Sequence, residues 1–356
     1  MDGIAIASAH LGVEPPHRFH LIGDSKAGHP FDAPAIQPGD GVRIFTGAPV
    51  PPQFDTVVIQ EDCEFESTAE ASFAVCNIQP AKGANIRAVG HDIAKDDVIV
   101  RRGERLNPFS VGWLSACGVE QVAVTRRPQV SIFSTGDELQ QPGTKLAAGQ
   151  IYDANRILLQ RMLANLPVDV VDLGILRDEP GAIRSALTSA AQTSDMLITS
   201  AGVSVGDADF VTQVLDEIGQ LEIWRLRIKP GKPLTFGEIG KRLFFGLPGN
   251  PVSTVVTFLT VVRPALLRLC GAQATELVEH TATLADPIAH KPGREEFQRG
   301  RLVEQNGSVT VHITGDQSSN RLATFRDANC FVRIPKDAGD LAVGALVRVL
   351  PFWGLL

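Results

Sequence analysis

The sequence lacks a long uninterrupted apolar run, the feature that a membrane-spanning helix requires. Its most apolar stretch, from Val255 to Val262, is interrupted by Thr257 and Thr260 and ends at Arg263. A span of the hydrocarbon core takes roughly 20 apolar residues. We therefore expect no membrane segment.

Positive charge is also scarce. Lys and Arg number 33 against 40 Asp and Glu, a net charge of −7, which argues against general affinity for a nucleic-acid backbone. Any anionic ligand must therefore find a local basic site. Residues 1–3 show neither a basic region nor an apolar core, so no signal peptide is visible and a cytoplasmic location is expected.

Cysteine and the common catalytic motifs are missing or unpaired. The five cysteines are scattered, with no C-x-x-C pair and no histidine at metal-ligand spacing, so we interpret them as buried or incidental thiols in a reducing compartment. The chain contains no G-x-x-x-x-G-K-[ST], no G-x-G-x-x-G and no H-E-x-x-H motif. A P-loop, a dinucleotide fingerprint and a metalloprotease centre are excluded.

The chain is long enough for two or three domains, and 44% of its 356 residues are apolar, which excludes disorder as the main state. Short apolar runs between Gly and Pro turns predict a β domain over 1–88. Residues 89–128 indicate a partial connecting layer, with a helix at 108–117 and a short strand at 122–124. We predict an α/β domain over 129–272 and a C-terminal β-barrel or sandwich over 273–356.

Strands alternate with amphipathic helices in the α/β domain, which indicates a doubly wound, mostly parallel sheet. The predicted strands are 129–134, 168–173, 195–200, 221–228 and 242–246. A final helix runs from Asn250 to about Cys270, with Asn250 as N-cap and Pro251 at its first position. In the last domain, Asn306-Gly307 between two alternating runs predicts a hairpin.

Polar or Gly-rich strings follow almost every predicted strand of this sheet, where ligands of open α/β sheets bind. The strings are Ser134-Thr135-Gly136-Asp137-Glu138, Gly174 to Asp178, Ser200 to Asp209, Lys229-Pro230-Gly231-Lys232-Pro233 and Gly246-Leu247-Pro248-Gly249-Asn250-Pro251. Gly-rich turns, hydroxyls, a helix N-terminus and two lysines suit a phosphate or similar oxyanion.

Carboxylates on the same edge would repel such an anion unless a hard cation such as Mg²⁺ lies between them. They are Asp137, Glu138, Asp178, Asp207 and Asp209. The pattern predicts a phosphorylated ligand handled with a divalent metal. Plainer alternatives stay open, because Asp207 could cap a helix beginning at Ala208, Asp178 could be a solvated loop residue, and Gly231 could only shape a turn.

Gly202-Val203-Ser204-Val205-Gly206 fits G-x-S-x-G, the nucleophile elbow of hydrolases, between a strand and a helix. Such an elbow needs a histidine base, and the downstream candidates His280, His290 and His312 fall in the predicted β domain. Ser204 in this turn also suits a phosphate cradle. A serine hydrolase is thus an alternative function.

Taken together, the strings resemble one family, the molybdopterin molybdenumtransferases, to which the C-terminal region of gephyrin also belongs. The resemblance runs through Met1-Asp2-Gly3, Arg43 to Pro49, Val57 to Glu61, Ser134 to Leu139 and the three later strings from Gly202, Lys229 and Gly246. It implies an enzyme that takes adenylylated molybdopterin and molybdate, inserts the metal and releases AMP with Mg²⁺.

The resemblance also implies site residues. Acidic side chains at Glu138, Asp178 and Asp209 would line the cleft and bind Mg²⁺, and Lys229 would contact substrate. Asp2, Thr46 and Asp92 would complete the cleft from the β domain across a homodimer interface. The expected substrate-binding residues are Thr135, Gly136, Asp137, Ser200, Gly202, Ser204, Gly206, Asp207, Lys229, Gly231, Lys232, Gly249, Asn250, Ser253 and Arg299, with Ser318 or Ser319 nearby.

The chain departs from the family pattern at three places. Ala201-Gly202 stands where many members have Gly-Gly, and the added methyl group removes the freedom for a positive φ. Ile4 replaces the aromatic residue often found after Gly3, and family members carry further residues, mostly helical, before the Met-Asp-Gly string. Because gephyrin binds peptides on the same fold, a non-catalytic scaffold is the second alternative.

Overall fold

The computed structural model describes residues 1–32, 35–200, 210–273 and 276–355. Within them the chain forms two compact units, Met1–Val98 and Ile99–Leu356. The boundaries between the four domains drawn from the sequence stay predictions.

The first unit is built on a six-stranded sheet. Its strands are β1 Gly3–Ile6, β2 His17–Ser25, β3 Asp40–Ile44, β4 Thr56–Ile59, β5 Cys63–Ser67 and β6 Ser72–Cys76, in the order β4-β1-β3-β2-β6-β5. Short 3₁₀ turns cover Ser8–His10 and Gln60–Asp62. Every residue of β1 is buried, because apolar side chains pack on both of its faces. The sequence did not show β2 or β5, whose exposed positions, apart from Phe65, carry polar and charged residues.

The second unit begins with an exposed segment. Helix α1, Pro108–Ala116, starts at Asn107, whose side chain accepts hydrogen bonds from the backbone N–H groups of Phe109 and Ser110. None of its residues is buried. The strand predicted at 122–124 is wrong: Val122 and Val124 are 44% and 67% exposed and belong to no strand, because no neighbouring strand pairs with them.

The α/β part follows. Its strands are β7 Gln129–Thr135, β8 Leu139–Gln140, β9 Ile151–Tyr152, β10 Asp169–Leu176, β11 Met196–Ser200, β12 Gly219–Trp224, β13 Ile228–Lys229, β14 Leu234–Ile239 and β15 Arg242–Leu247. Its first helices are α2 Asn155–Leu163, α3 Pro180–Thr193 and α4 Phe210–Ile218. The main sheet has the order β10-β7-β11-β15-β14-β12.

Strands β10, β7, β11 and β15 are parallel, which confirms the predicted sheet. Strand β14, which the sequence did not show, runs antiparallel to both β15 and β12. Strand β12 therefore ends at the same edge as the parallel strands. The strand predicted at 221–228 is too long, because after Trp224 the chain leaves this sheet and Ile228–Lys229 pairs with another strand.

One long helix closes this part, made of α5 Pro251–Thr257, a π-helical turn Phe258–Val262 and α6 Arg263–Leu269. Its 19 residues have a mean hydropathy of 1.5, enough by length and composition for a membrane span. Val252, Val256 and Val262, however, are at most 1% exposed and pack in the main core. It is a core helix.

The last strands close on themselves. They are β16 His280–Leu284, β17 Glu295–Gln305, β18 Ser308–Ile313, β19 Cys330–Ile334 and β20 Leu346–Pro351, with 3₁₀ turns at Leu322–Phe325 and Phe352–Gly354. Because β17 pairs with both β18 and β19, these strands form a closed barrel. Asn306 and Gly307 form the predicted hairpin turn, with φ of 53° and 76°.

Candidate active site

The carboxyl end of β7 turns sharply at Gly136. Its φ of 137° lies outside the range that other residues readily adopt. A Cβ at this position would lie 2.4 Å from Oε2 of Glu138. The missing side chain therefore lets the Glu138 carboxylate fold back over the strand end.

Asp178, which follows β10, reaches the same turn. The backbone N–H of Asp137 donates a hydrogen bond to its Oδ2 at 3.2 Å. Partial burial raises the pKa of Asp178; that hydrogen bond opposes the rise, and the charges of Asp137 and Glu138 add to it. Two adjacent strands thus bring three of the predicted carboxylates together.

These carboxylates have no cation beside them in the described part of the chain. None of the three forms an ion pair there, whereas the flanking Glu179 lies 4.0 Å from Arg177. The described residues also hold no group of three or more His, Cys, Asp or Glu side chains placed to bind a metal. Asp209, the third predicted Mg²⁺ ligand, lies outside the described residues, so that ligand set stays a prediction.

The string after β11 falls on the same gap. Gly202, Ser204, Gly206, Asp207 and Asp209 all lie outside the described residues. Ser200, the last residue of β11, is buried, and its Oγ lies 3.3 Å from Oγ of Ser134 on β7. Beside it, the buried Oγ1 of Thr135 has no hydrogen-bond partner among the described residues. An unpaired buried hydroxyl is costly, which is consistent with a ligand group at this strand end.

Lys229 comes to the edge through β13. It pairs with Glu296 of the barrel strand β17, and its Nζ lies 3.0 Å from Oε1 of that residue. The lysine side chain is 49% exposed and that of Glu296 only 4%. Lys232, three residues on, is exposed.

Gly231, between the two lysines, is buried with a φ of 142°. A Cβ there would lie 2.6 Å from Cδ1 of Ile228 and 3.0 Å from Oγ1 of Thr257. The loop therefore passes too close to helix α5 for any other residue. Gly231 has a packing role, and its predicted contact with substrate stays a prediction.

The end of β15 is fixed by two asparagines. Asn155, at the start of α2, donates from Nδ2 to the Gly249 carbonyl at 2.6 Å. Asn250 occupies the predicted N-cap position of α5, with Pro251 in the first turn, but its side chain makes no capping hydrogen bond. Its Nδ2 donates instead to Oγ of Ser319 at 2.9 Å. Ser253 is buried in the first turn of the helix.

Arg299 explains how Ser319 arrives there. Its side chain is fully buried, and the guanidinium donates to the carbonyl oxygens of Asp316, Gln317 and Ser318 and to Oγ1 of Thr324. Arg299 therefore holds the loop that carries Ser319 against the start of α5. Its predicted contact with substrate is not tested by these bonds.

In the first unit the structure brings Asp2 and Thr46 together. Thr46 donates to Oδ1 of Asp2 from its backbone N–H at 2.8 Å and from Oγ1 at 2.9 Å. These two bonds, the backbone one first, lower the pKa of Asp2. Asp92 lies exposed in a bend of the same unit.

The histidines give the hydrolase alternative no support. His280, His290 and His312 all lie in the barrel region. His290 is buried between the carbonyl oxygens of Ala338 and Arg294, and His312 lies 3.4 Å from Asp286. The contacts of His290 and His312 are thus with other residues of the barrel region.

Sequence reasoning missed two polar residues at this edge, Asn155 and Glu296. Asn155 has a signal, because it begins a helix directly after the polar residues Tyr152 and Asp153. Its buried Oδ1 has no hydrogen-bond partner. Glu296 had no signal, since an acidic residue in a strand is normally read as solvent-exposed.

Comparisons with known proteins agree along the chain. Three family models match: "MoeA N-terminal region (domain I and II)" at residues 1–118, "Probable molybdopterin binding domain" at 131–268 and "MoeA C-terminal region (domain IV)" at 281–352. The chain is 37% identical over 358 residues to a molybdopterin molybdenumtransferase of Haemophilus influenzae, covering 100% of this chain and 87% of that one. Gephyrin of Dictyostelium discoideum is 32% identical, covering 98% of this chain and 55% of its own.

A solved structure gives the same picture. The molybdopterin biosynthesis MoeA protein of Pyrococcus horikoshii OT3 matches with a TM-score of 0.81 and 27% identity, covering 99% of this chain and 86% of that chain. Similarity of sequence and of fold therefore both extend over nearly the whole chain.

Proposed function

The chain belongs to the molybdopterin molybdenumtransferase family, and we propose on that premise that it inserts molybdate into adenylylated molybdopterin, with Mg²⁺-dependent release of AMP. Molybdenum cofactor biosynthesis is the process in which the family works. Both substrates carry negative charge. The site must therefore stabilise anions and, if Mg²⁺ takes part, bind a cation beside them.

The observation that carries the proposal is that two carboxylates and a lysine all lie beyond the carboxyl ends of strands of the main sheet. Glu138 and Asp178 meet at the ends of β7 and β10 with no ion pair in the described residues, and Lys229 extends from the loop that follows β12. A phosphate-bearing substrate with a bound divalent cation would satisfy both sets. An anionic substrate without a cation would leave the carboxylates of Glu138 and Asp178 uncompensated.

The carboxylates fit Mg²⁺ by their chemistry. Mg²⁺ prefers oxygen ligands and usually takes one or two protein carboxylates together with substrate phosphates. The raised pKa of Asp178 supports the fit, because a carboxylate that is partly buried and lies beside two like charges gains from a cation. Glu138, Asp178 and Asp209 would hold the ion. When bound, it would neutralise the diphosphate and polarise it for cleavage.

The remaining groups of the edge would bind and orient the substrates. The Lys229 ammonium has three donors and gives one to Glu296, so two stay available for phosphate oxygens. Lys232 would add a second positive charge. The unpaired hydroxyl of Thr135 would donate to an oxyanion or phosphate at the end of β7.

A direct assay tests the proposal. Purified protein is given adenylylated molybdopterin, molybdate and Mg²⁺, and both AMP release and cofactor formation are measured. We expect both to require molybdate and to stop on chelation of Mg²⁺. Binding of the pterin without AMP release would instead support a scaffold, the alternative that the family resemblance leaves open.

The Ser204→Ala variant belongs in the same assay. A phosphate-cradling turn tolerates this change, so AMP release should continue. A serine hydrolase would lose its activity completely.

We also propose that the protein is a cytoplasmic homodimer. Sedimentation velocity of the purified protein would test whether it is a dimer.

A further inference from the structure

A buried carboxylate lies where the barrel meets the Lys229 loop. Glu296 on β17 is 3% exposed, and its backbone pairs in parallel with that of Lys229. One residue earlier on each strand, Ile228 pairs with Glu295. The backbone N–H of Glu295 donates a hydrogen bond to the Arg227 carbonyl at 2.8 Å. The backbone ladder therefore fixes where the Lys229 side chain begins.

The charged group of Glu296 is prepared for its position. Its Oε1 accepts a hydrogen bond from Nε2 of Gln298 at 3.0 Å and lies 3.0 Å from Nζ of Lys229. Its Oε2 lies 3.8 Å from Nε2 of the buried His290. Taking a carboxylate out of water is expensive unless such partners surround it. The hydrogen bond from Gln298 and the ion pair with Lys229, both to Oε1, let Glu296 stay buried and rigid.

Lys229 has the opposite properties. Its side chain is half exposed, and a free lysine side chain samples many rotamers. A flexible ammonium loses more conformational entropy on binding a phosphate than one that is already held. An ion pair to a rigid buried group removes most of that loss in advance.

We propose that Glu296 is the positioning residue that fixes the ammonium of Lys229 for the substrate. The proposal rests on the proposed function, which gives Lys229 the substrate phosphate. Because Glu296 is only 3% exposed, it acts on the substrate through Lys229 and not by direct contact.

The first test separates substrate binding from turnover. In Glu296→Gln, the side chain keeps its size but loses its charge. We expect the KM for adenylylated molybdopterin to rise about 3- to 10-fold, the effect expected when one substrate-binding side chain regains its conformational freedom. The kcat should stay within about twofold. A fall in kcat with unchanged KM would overturn the proposal.

The matched control is Glu295→Gln. Glu295 is the neighbouring residue on β17, and its Oε1 pairs with Nε of Arg333 at 2.6 Å instead of with Lys229. This variant should keep the wild-type KM. An equal rise of KM in both variants would contradict a role through Lys229.

A double-mutant cycle tests whether Glu296 acts through Lys229. Lys229→Met alone should raise the KM more than Glu296→Gln does, and the double variant should equal Lys229→Met alone. Additive effects in the cycle would contradict the proposal. Circular dichroism checks that each variant folds. If Glu296→Gln does not fold, Glu296→Asp is used in its place, and a smaller rise of KM is expected.

The last readout does not depend on activity. Lysines are dimethylated with ¹³C, which keeps their charge, and the Lys229 signal is identified by its loss in Lys229→Arg. Glu296→Gln should shift and sharpen that NMR signal, and Glu295→Gln should not. An unchanged Lys229 signal in Glu296→Gln would overturn the positioning role. If that signal shifts but the wild-type protein shows no turnover, only the proposed function is overturned.

Discussion

The two charged parts of the sheet edge are built in opposite ways. We call the turn that gathers Asp137, Glu138 and Asp178 the acidic side, and the loop of Lys229 with the start of α5 the basic side. On the acidic side no described cation faces the carboxylates. On the basic side Lys229 already has a counter-ion, Glu296. Under the proposed function the acidic side gains its counter-charge from a bound cation, whereas the ion pair of the basic side is already formed within the protein.

The supports of the two sides explain the contrast. The basic side rests on the barrel: β17 supplies both Glu296 and Arg299, and each is at most 3% exposed. In the described part of the chain, the acidic side is formed by the Gly136 turn and the loop after β10. Buried charges hold their partners in one geometry, whereas exposed ones are screened by solvent. Four changes would break or sharpen this comparison.

The largest effect is expected on the basic side, from Arg299→Met. Four hydrogen bonds from the buried guanidinium would be lost, three of them to carbonyl oxygens. We expect the free energy of unfolding to fall by about 3 kcal/mol, the scale of a broken buried network. Urea denaturation measures it. Arg301→Met, an exposed arginine on the same strand, is the control and should leave stability nearly unchanged.

The second effect concerns turnover on the acidic side. Glu138→Gln keeps the shape of the turn but removes a charge that would hold Mg²⁺. We expect the rate of AMP release to fall about 100-fold, as for loss of one electrostatic group in a site, with pterin binding retained. Glu179→Gln, on the loop beside Asp178, should keep full activity. Normal turnover in Glu138→Gln would remove this residue from the site.

The third effect is an asymmetry within the ion pair of the basic side. Lys229→Met leaves a buried carboxylate without its partner, which for a half-exposed lysine should cost about 2 kcal/mol of stability. Glu296→Gln leaves only a lysine that can turn to water, and should cost less than about 1 kcal/mol. Urea denaturation compares the two variants. Equal losses would mean that Glu296 is not effectively buried.

The smallest effect is a gain of stability from Asp178→Asn. The pKa of Asp178 is raised above its ordinary value of 3.8, so the ionised form is disfavoured in the folded state. Its stabilising contribution is full below pH 3.8 and is lost as pH rises through the folded-state pKa. At pH 7, Asp178→Asn should therefore raise the free energy of unfolding, by less than about 1 kcal/mol because the carboxyl is only partly buried.

The same variant should lose the response to Mg²⁺. Added Mg²⁺ should raise the unfolding temperature of the wild type and not that of Asp178→Asn, because ligand binding stabilises the folded state by mass action. Denaturation at pH 7 and at pH 4 completes the test, since the advantage of the variant should shrink at the lower pH. A lower stability of Asp178→Asn at pH 7 would show that the acidic side is already compensated.

Local patterns in the sequence predicted much of the fold. Leu159, Met162 and Leu163 recur at helical spacing and are at most 5% exposed, and Asn306-Gly307 forms the expected hairpin turn. These features depend on residues close together in the chain. The strand predicted at 221–228 was too long for the opposite reason, since Ile228 pairs with Glu295, a residue far along the chain.

The site divides in the same manner. The sequence brought Gly136, Glu138, Asp178 and Lys229 to one edge, because the carboxyl ends of parallel strands meet there. It also placed Asn250 at the N-cap of α5, which the structure confirms, but it did not show that the Asn250 side chain donates to Ser319, a partner 69 residues away. Contacts of this range depend on how the barrel packs, and no local pattern records them.

The sequence by itself determined the family, the alternating architecture and the chemistry of the sheet edge, because each depends on residue types in a fixed local order. Only the tertiary structure decided which charges are compensated. It left Asp178 among like charges, and it buried Glu296 behind Lys229 through a strand of another sheet. Burial and charge pairing are set by which segments pack together, and that is a property of the folded chain.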